Sequence, residues 1–148
     1  MQTFLPHPNI KKSLKSLDSR RLGKQRVEAH QILNILLNRT KTKGWKNHPA
    51  VKMWKGHVNA LKLYFNEAVK EWTSRGYKNN MKLETIRGKI VFPKWFGNKK
   101  FHSSHKGNLL RKHNKHYSKF NWKESPELPY VWPEDKKLKL EVRTKTAK

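Results

Sequence analysis

Between Val51 and Trp72 the apolar residues Val51, Trp54, Val58, Leu61, Phe65, Ala68 and Trp72 fall at alternating steps of three and four. Such steps keep side chains on one face of an α-helix, whereas a strand would scatter them over both faces. The spacing predicts one long amphipathic helix opening near Asn47 or His48, with Pro49 suited to an early helical position and Gly76 to the C-terminal cap. Gly56 lies inside that stretch at a cost of about 1 kcal/mol relative to alanine, which a close helix crossing would explain. A helix of this kind must bury its stripe on other helices, and it constrains the fold more than any other segment does.

Two further stripes supply the partners. Leu22, Ala29, Leu33 and Leu36 follow Asp18 or Ser19 as an N-cap and end at the polar break "NRTKTKGW". Leu110, His113, Tyr117 and Phe120 predict a third helix capped by Ser103 or Ser104, with His113 in the core. "MQTFLPHPNI", with two prolines, reads as an extended segment anchored by Phe4, Leu5 and Ile10. "MKLETIRGKIVFPKWFGNKKF" reads as a connection, because Pro93 closes the "KIVF" run and no partner strand is evident. "KESPELPYVWPEDK" interleaves three prolines with Tyr130 and Trp132 and reads as an ordered aromatic loop. The expectation is a compact all-α domain of three main helices over 1–135, followed by a basic mobile tail over 136–148.

Charge narrows the function. Lys and Arg number 35 against 10 Asp and Glu, a formal net charge of +25 on 148 residues, so the chain attracts polyanions and nucleic acid is the first candidate. A membrane surface is the weaker reading, since no apolar run approaches the ~18–20 residues of a spanning helix and no signal peptide opens the chain. The expectation is a soluble, intracellular protein. The absence of cysteine excludes a disulfide framework and thiolate zinc sites, leaving one hydrophobic core to hold the fold.

Against this background one acid stands out. Glu28 sits in "SRRLGKQRVEAHQILNILL" among Arg20, Arg21, Lys24 and Arg26. On a helical wheel it falls beside Arg21, Lys24 and Gln31, away from the apolar stripe. One reading is a surface ion pair with Lys24, worth a few tenths of a kcal/mol. The other is chemistry, because a carboxylate on a phosphate-binding face repels the ligand and needs a compensating use. His102/His105 and His113/His116 are each spaced i, i+3, yet neither pair has evident further metal ligands, so no metal is expected. His102 and His105 at a helix start suit phosphate contact instead. Trp54 and Trp72 lie on the long helix's stripe and belong to the core. Trp45, Trp95, Trp122, Tyr130 and Trp132 lie in connections, where packing and stacking on an extruded base both stand open.

Three segments in order resemble the pyrimidine-dimer DNA glycosylases typified by bacteriophage endonuclease V. "RLGKQRVE" (Arg21 to Glu28) is similar to the first-helix segment ending in that family's catalytic glutamate. "HPAVKMWKGHV" with the long helix ending "SRGY" (His48 to Tyr77) is similar to its second helix, and "FHSSHKGNLL" through "HYSKFNW" to its third. The resemblance implies three helices with the N-terminal segment threading between them to deliver the α-amine to the active site. It implies a DNA repair glycosylase with abasic-site lyase activity: the amine attacks C1′, the base leaves, and β-elimination from the Schiff base nicks the strand. Glu28 matches the glutamate that aids proton transfer. Met1 supplies the amine, or Gln2 after processing; bulky Gln2 hinders removal of Met1, and the stretch to the glutamate is longer than in the phage protein.

A free α-amine titrates at about 7.7 to 8.0, well below a lysine, so a neutral nucleophile is available near neutral pH. The implied DNA contacts are Arg20, Arg21, Lys24, Arg26, His48, His57, His102, His105 and Lys106. No cofactor is implied. The implied partner is double-stranded DNA and the implied state a monomer, DNA-associated in a prokaryotic cytoplasm, a nucleus or a viral compartment. The alternative from another class is a non-catalytic DNA- or RNA-binding or packaging protein of the same fold, which the charge suits equally well.

Overall fold

A computed structural model describes residues 1–41, 44–134 and 137–140, with the backbone alone for 134 and 137–140. Three long helices carry the fold: α2 (Ser19–Leu36), α4 (Val58–Ser74) and α5 (Lys99–Lys112). Shorter ones accompany them: α1 (Ile10–Ser16), α3 (Pro49–Lys52) and α6 (Asn114–Tyr117). The expectation of an all-α protein with three main helices holds. A short antiparallel ribbon closes the described chain, β1 (Val131–Glu134) on β2 (Lys137–Leu140), with Trp132 opposite Lys139. β2 falls within the stretch expected as a basic tail, and residues 136 and 141–148 of that stretch lie outside the described residues.

Helix α2 begins where its sequence says it should. The Asp18 carboxylate accepts from the Arg21 backbone N–H at 3.3 Å, satisfying one of the donors left free in a first turn. That carboxylate also receives the buried Tyr117 hydroxyl, while the Asp18 N–H donates to the Tyr117 oxygen at 3.0 Å, tying the start of α2 to the end of α6. Burial alone would raise the Asp18 pKa, but the Tyr117 hydroxyl and Arg21 hold it below its ordinary value. Helices α2 and α4 run antiparallel: Arg75 at the end of α4 donates to Ser19 Oγ at 3.1 Å, and Tyr64 in its middle reaches Gln25 at 2.9 Å. Leu22, Ala29, Leu33, Trp54, Leu61, Phe65, Ala68, Phe101 and Leu109, all fully buried, belong to the one core that these helices share with α5.

The structure corrects four local expectations. The stripe from Val51 to Trp72 is carried by two helices, because Gly56 adopts φ +83° and turns the chain between α3 and α4. Nothing stands within 4 Å of where its Cβ would be, so the left-handed backbone and not a helix crossing calls for glycine there. Trp72 is only partly buried, stacked on Tyr77 with ring centroids 4.2 Å apart and covered by the Arg26 guanidinium at 4.9 Å. Helix α5 starts about one and a half turns earlier than expected, capped by Asn98, whose side chain accepts from Phe101 N at 3.0 Å. His113 is exposed, because α5 ends at Lys112 and the backbone leaves helical geometry at φ −154°.

The connection from α4 to α5 forms no strand. Its backbone is held by a polar stripe on α4. Asn66 accepts from Glu84 N at 2.8 Å, Lys62 donates to Thr85 O at 3.0 Å, and Asn59 donates to Arg87 O and Lys89 O at 2.8 and 3.0 Å. Those three residues are spaced i, i+3, i+7, so one helix face satisfies an irregular chain that lacks a sheet partner.

Gly107 in α5 marks a second tight approach. A Cβ there would overlap the Ser125 carbonyl oxygen, backbone that cannot swing aside, and press on the Leu128 side chain. Alanine in a helix interior ordinarily gains about 1 kcal/mol over glycine. Gly107→Ala is expected to do the reverse and lower the thermal midpoint; a rise in Tm would show that the 125–128 loop yields freely.

Candidate active site

Residues 2–5 are extended and buried, yet they belong to no sheet. Buried backbone groups must find partners, and here side chains provide them. The Gln2 N–H donates to Glu28 Oε1 at 2.9 Å. The Thr3 N–H donates to the Gln2 side-chain oxygen at 2.9 Å, and the Phe4 N–H to Gln25 Oε1 at 2.7 Å. The Leu5 N–H donates to His105 Nδ1 at 2.8 Å, and its carbonyl lies 2.7 Å from His102 Nδ1. The Tyr64 hydroxyl lies 2.9 Å from both Phe4 O and Gln25 Oε1, donating its single proton to one at a time. Trp54 Nε1 donates to Thr3 Oγ1 at 3.0 Å. The N-terminal segment therefore threads between α2, α4 and α5, held from all three.

The two histidines are sorted into tautomers by their partners. His102 Nε2 accepts from the Gly97 N–H at 2.9 Å, so its proton is on Nδ1 and is donated to Leu5 O. His105 Nδ1 accepts from Leu5, so its proton is on Nε2. Burial lowers both pKa values, that of His105 to about 3, where neighbouring His102 adds to the effect. Both are spent on Leu5 in the interior. The expectation that they contact phosphate is corrected: a buried neutral imidazole offers no cation to an anion.

Glu28 is half-buried and does not make the surface pair with Lys24. Among the described residues no ion pair joins it to Lys24; its partner is the backbone of Gln2, 26 residues away. One residue upstream of that bond is Met1, packed partly buried against the core. The cations of α2 divide by position. Arg20 and Lys24 are exposed, while Arg21 lies 3.4 Å from the Asp18 carboxylate. Arg26 is drawn inward, donating to Asn79 Oδ1 at 2.6 Å and lying over Trp72. Lys106 sits over the Trp122 ring, 4.0 Å from Glu124. His48 caps α3 by accepting from Ala50 N at 3.0 Å, and His57 Nδ1 donates to Val91 O at 3.0 Å. Among the described residues no three His, Asp or Glu side chains cluster as a metal site would require.

Sequence reasoning missed Gln25, Tyr64 and Trp54 as holders of the N-terminal segment. The signal for Gln25 was present: a polar residue directly on the buried side of α2, 2% exposed.

The site thus defines an all-α protein in which the start of the chain is built into the interior and led to a carboxylate on a cationic helix. The family model described as pyrimidine dimer DNA glycosylase matches residues 1–85, more than half of the chain, and the chain belongs to that family. No curated protein and no solved structure matches it. Membership makes DNA the substrate class. Among the described residues, no helix is long and apolar enough to cross a membrane.

The depressed histidines make stability pH-dependent with a definite sign. The unfolded chain takes up protons near the ordinary value of 6.5 and native His105 only near 3, so its contribution is intact above pH 6.5 and lost progressively below it. Unfolding free energy is expected to fall ever more steeply below pH 6.5, approaching about 1 kcal/mol per pH unit near pH 5 on account of His105 alone. Denaturant titrations between pH 7 and 5 check this. In His105→Gln, whose amide oxygen can accept from Leu5 without titrating, that part of the dependence should vanish.

Proposed function

We propose that the protein is a DNA repair glycosylase with abasic-site lyase activity, acting through the α-amine of Met1 with Glu28 as the proton-transfer group. One observation carries the reading: the 2.9 Å bond from the Gln2 N–H to Glu28 Oε1. It keeps the Met1 amine no more than one residue, about 3.6 Å of chain, from the nitrogen bonded to that carboxylate. An extended terminus held this way approaches its target in a narrow range of orientations, which lowers the entropic part of the barrier.

In the proposed reaction the amine lone pair forms a bond to C1′ as the bond from C1′ to the damaged base breaks, and the base leaves with the electron pair and takes a proton from water. Glu28 takes the proton from the attacking nitrogen and returns it to the sugar O4′ as the ring opens to the Schiff base. Loss of a C2′ proton then expels the 3′-phosphate and nicks the strand. Arg20, Arg21 and Lys24, on the outward side of α2, are proposed to hold phosphates flanking the lesion, with Lys106 and His48 at the margins. Arg26, His57, His102 and His105 act by shaping the protein around the site. Gln2 is a poor alternative nucleophile, since an N-terminal glutamine cyclises on its own amine and blocks it.

Borohydride reduction in the presence of duplex DNA carrying an abasic site or a cyclobutane dimer is expected to leave a covalent adduct that maps to Met1. DNA binding without an adduct would replace this reading with a non-catalytic DNA-binding role. Glu28→Gln is expected to bind DNA nearly as well as the wild type but to nick it about 100-fold more slowly or worse; nicking at the wild-type rate would remove Glu28 from the chemistry.

A further inference from the structure

The connection between α4 and α5 exposes three apolar residues in succession: Ile90 at 37%, Val91 at 59% and Phe92 at 41%. A run of this kind on a chain so rich in charge calls for an occupant. It is also firmly mounted. Asn59 holds the carbonyls of Arg87 and Lys89 on one side, and His57 holds that of Val91. On the other side Phe92 packs on Phe96 with ring centroids 4.7 Å apart, and Trp95, buried, donates to Met53 O at 3.0 Å.

The surroundings identify the partner by charge. Arg87, Lys89, Lys94, Lys99 and Lys100 flank the run and are exposed, and no Asp or Glu occurs from 85 to 123. An apolar tip between cations fits a partner that presents stacked apolar faces between two anionic rails, as duplex nucleic acid does.

Position agrees. Tyr64 on α4 lies level with Gln25 on antiparallel α2, so Glu28 is about 4.5 Å further along the pair and His57, which anchors Val91, about 10 Å further in the same direction. The run is therefore tethered at the end of the helix pair toward which the chain passes from Phe4 to Gln2.

We propose that Ile90, Val91 and Phe92 form a wedge that enters the stacked bases of duplex DNA beside the lesion, opening a base step while the flanking lysines and arginines grip the phosphates. The proposal rests on the DNA-directed function above. It adds a part that lies outside residues 1–85, the span matched by the family.

The test uses a duplex bearing 2-aminopurine next to a non-cleavable tetrahydrofuran abasic-site analogue, with the full chain. Wild-type binding is expected to raise 2-aminopurine fluorescence as the step unstacks. The V91S/F92S variant should lose more than half of that rise while keeping the slope of log affinity against log salt. Lys94→Ala should do the opposite, keeping the rise and lowering the slope by about 0.9, one phosphate contact. Because Phe92 also packs on Phe96, Val91→Ser alone is measured beside the double variant, with circular dichroism melts for both. A wild-type rise that both variants reproduce, or wild-type binding with no rise, overturns the wedge and leaves the DNA-directed function standing. Loss of self-association in the variants with the rise intact would assign the patch to a second copy of the chain and equally overturn it. A wild-type chain that does not bind the duplex overturns the DNA-directed function and the wedge with it.

Discussion

Burying an extended backbone without a sheet is the constraint on which this protein is organised. Each amide taken from water into the interior without a partner costs on the order of 1–3 kcal/mol, and residues 2–5 bring several of them. A neighbouring strand would answer that demand uniformly. Here it is answered piecemeal by Glu28 and Gln25 from α2, Tyr64 from α4, and His102 and His105 from α5. The three long helices are consequently bound to one another through a segment that belongs to none of them. Their mutual placement and the course of the N-terminus are a single structural fact.

That arrangement explains why a strongly cationic protein keeps neutral groups at its centre. A charged lysine or arginine at position 102 or 105 could not accept the Leu5 or Gly97 N–H groups, whereas a neutral imidazole can donate through one nitrogen and accept through the other. Outside this interior, charge faces solvent. Arg20 and Lys24 face solvent from the helix whose inward side holds Gln25 and, on its flank, Glu28. One helix thus separates the holding of the N-terminal segment from a solvent-facing cationic side by nothing more than its 100° turn per residue.

Much of this was legible in the sequence. The apolar stripe of α2, its Asp18 cap and the extended, core-anchored character of the first residues follow from local pattern alone. Glu28 stood out because an acid among cations lacks a local reason. Its partner, however, is a backbone group 26 residues away, and no helical wheel contains it. His102 and His105 were misread for a related reason: their i, i+3 spacing and position in a cationic segment suggest an exposed face, while their partner Leu5 lies 97 and 100 residues off. The break at Gly56 was hidden because the apolar spacing continues in phase across it, so periodicity records one stripe where the backbone makes two helices. His113 failed in the opposite way, since the stripe was extended past the point where α5 ends.

The contacts of Leu5 also set an order of events in biosynthesis. In chain order the segment that approaches Glu28 comes well before α5, and His105 follows Leu5 by 100 residues. Until that part of the chain has emerged, Leu5 has nothing to receive its N–H, and the opening residues must stay solvated while α2 to α4 assemble. Closing so long a loop costs more chain entropy than closing the local turns of the helices. The segment held at Glu28 thus completes its contacts only when α5 is in place to receive Leu5.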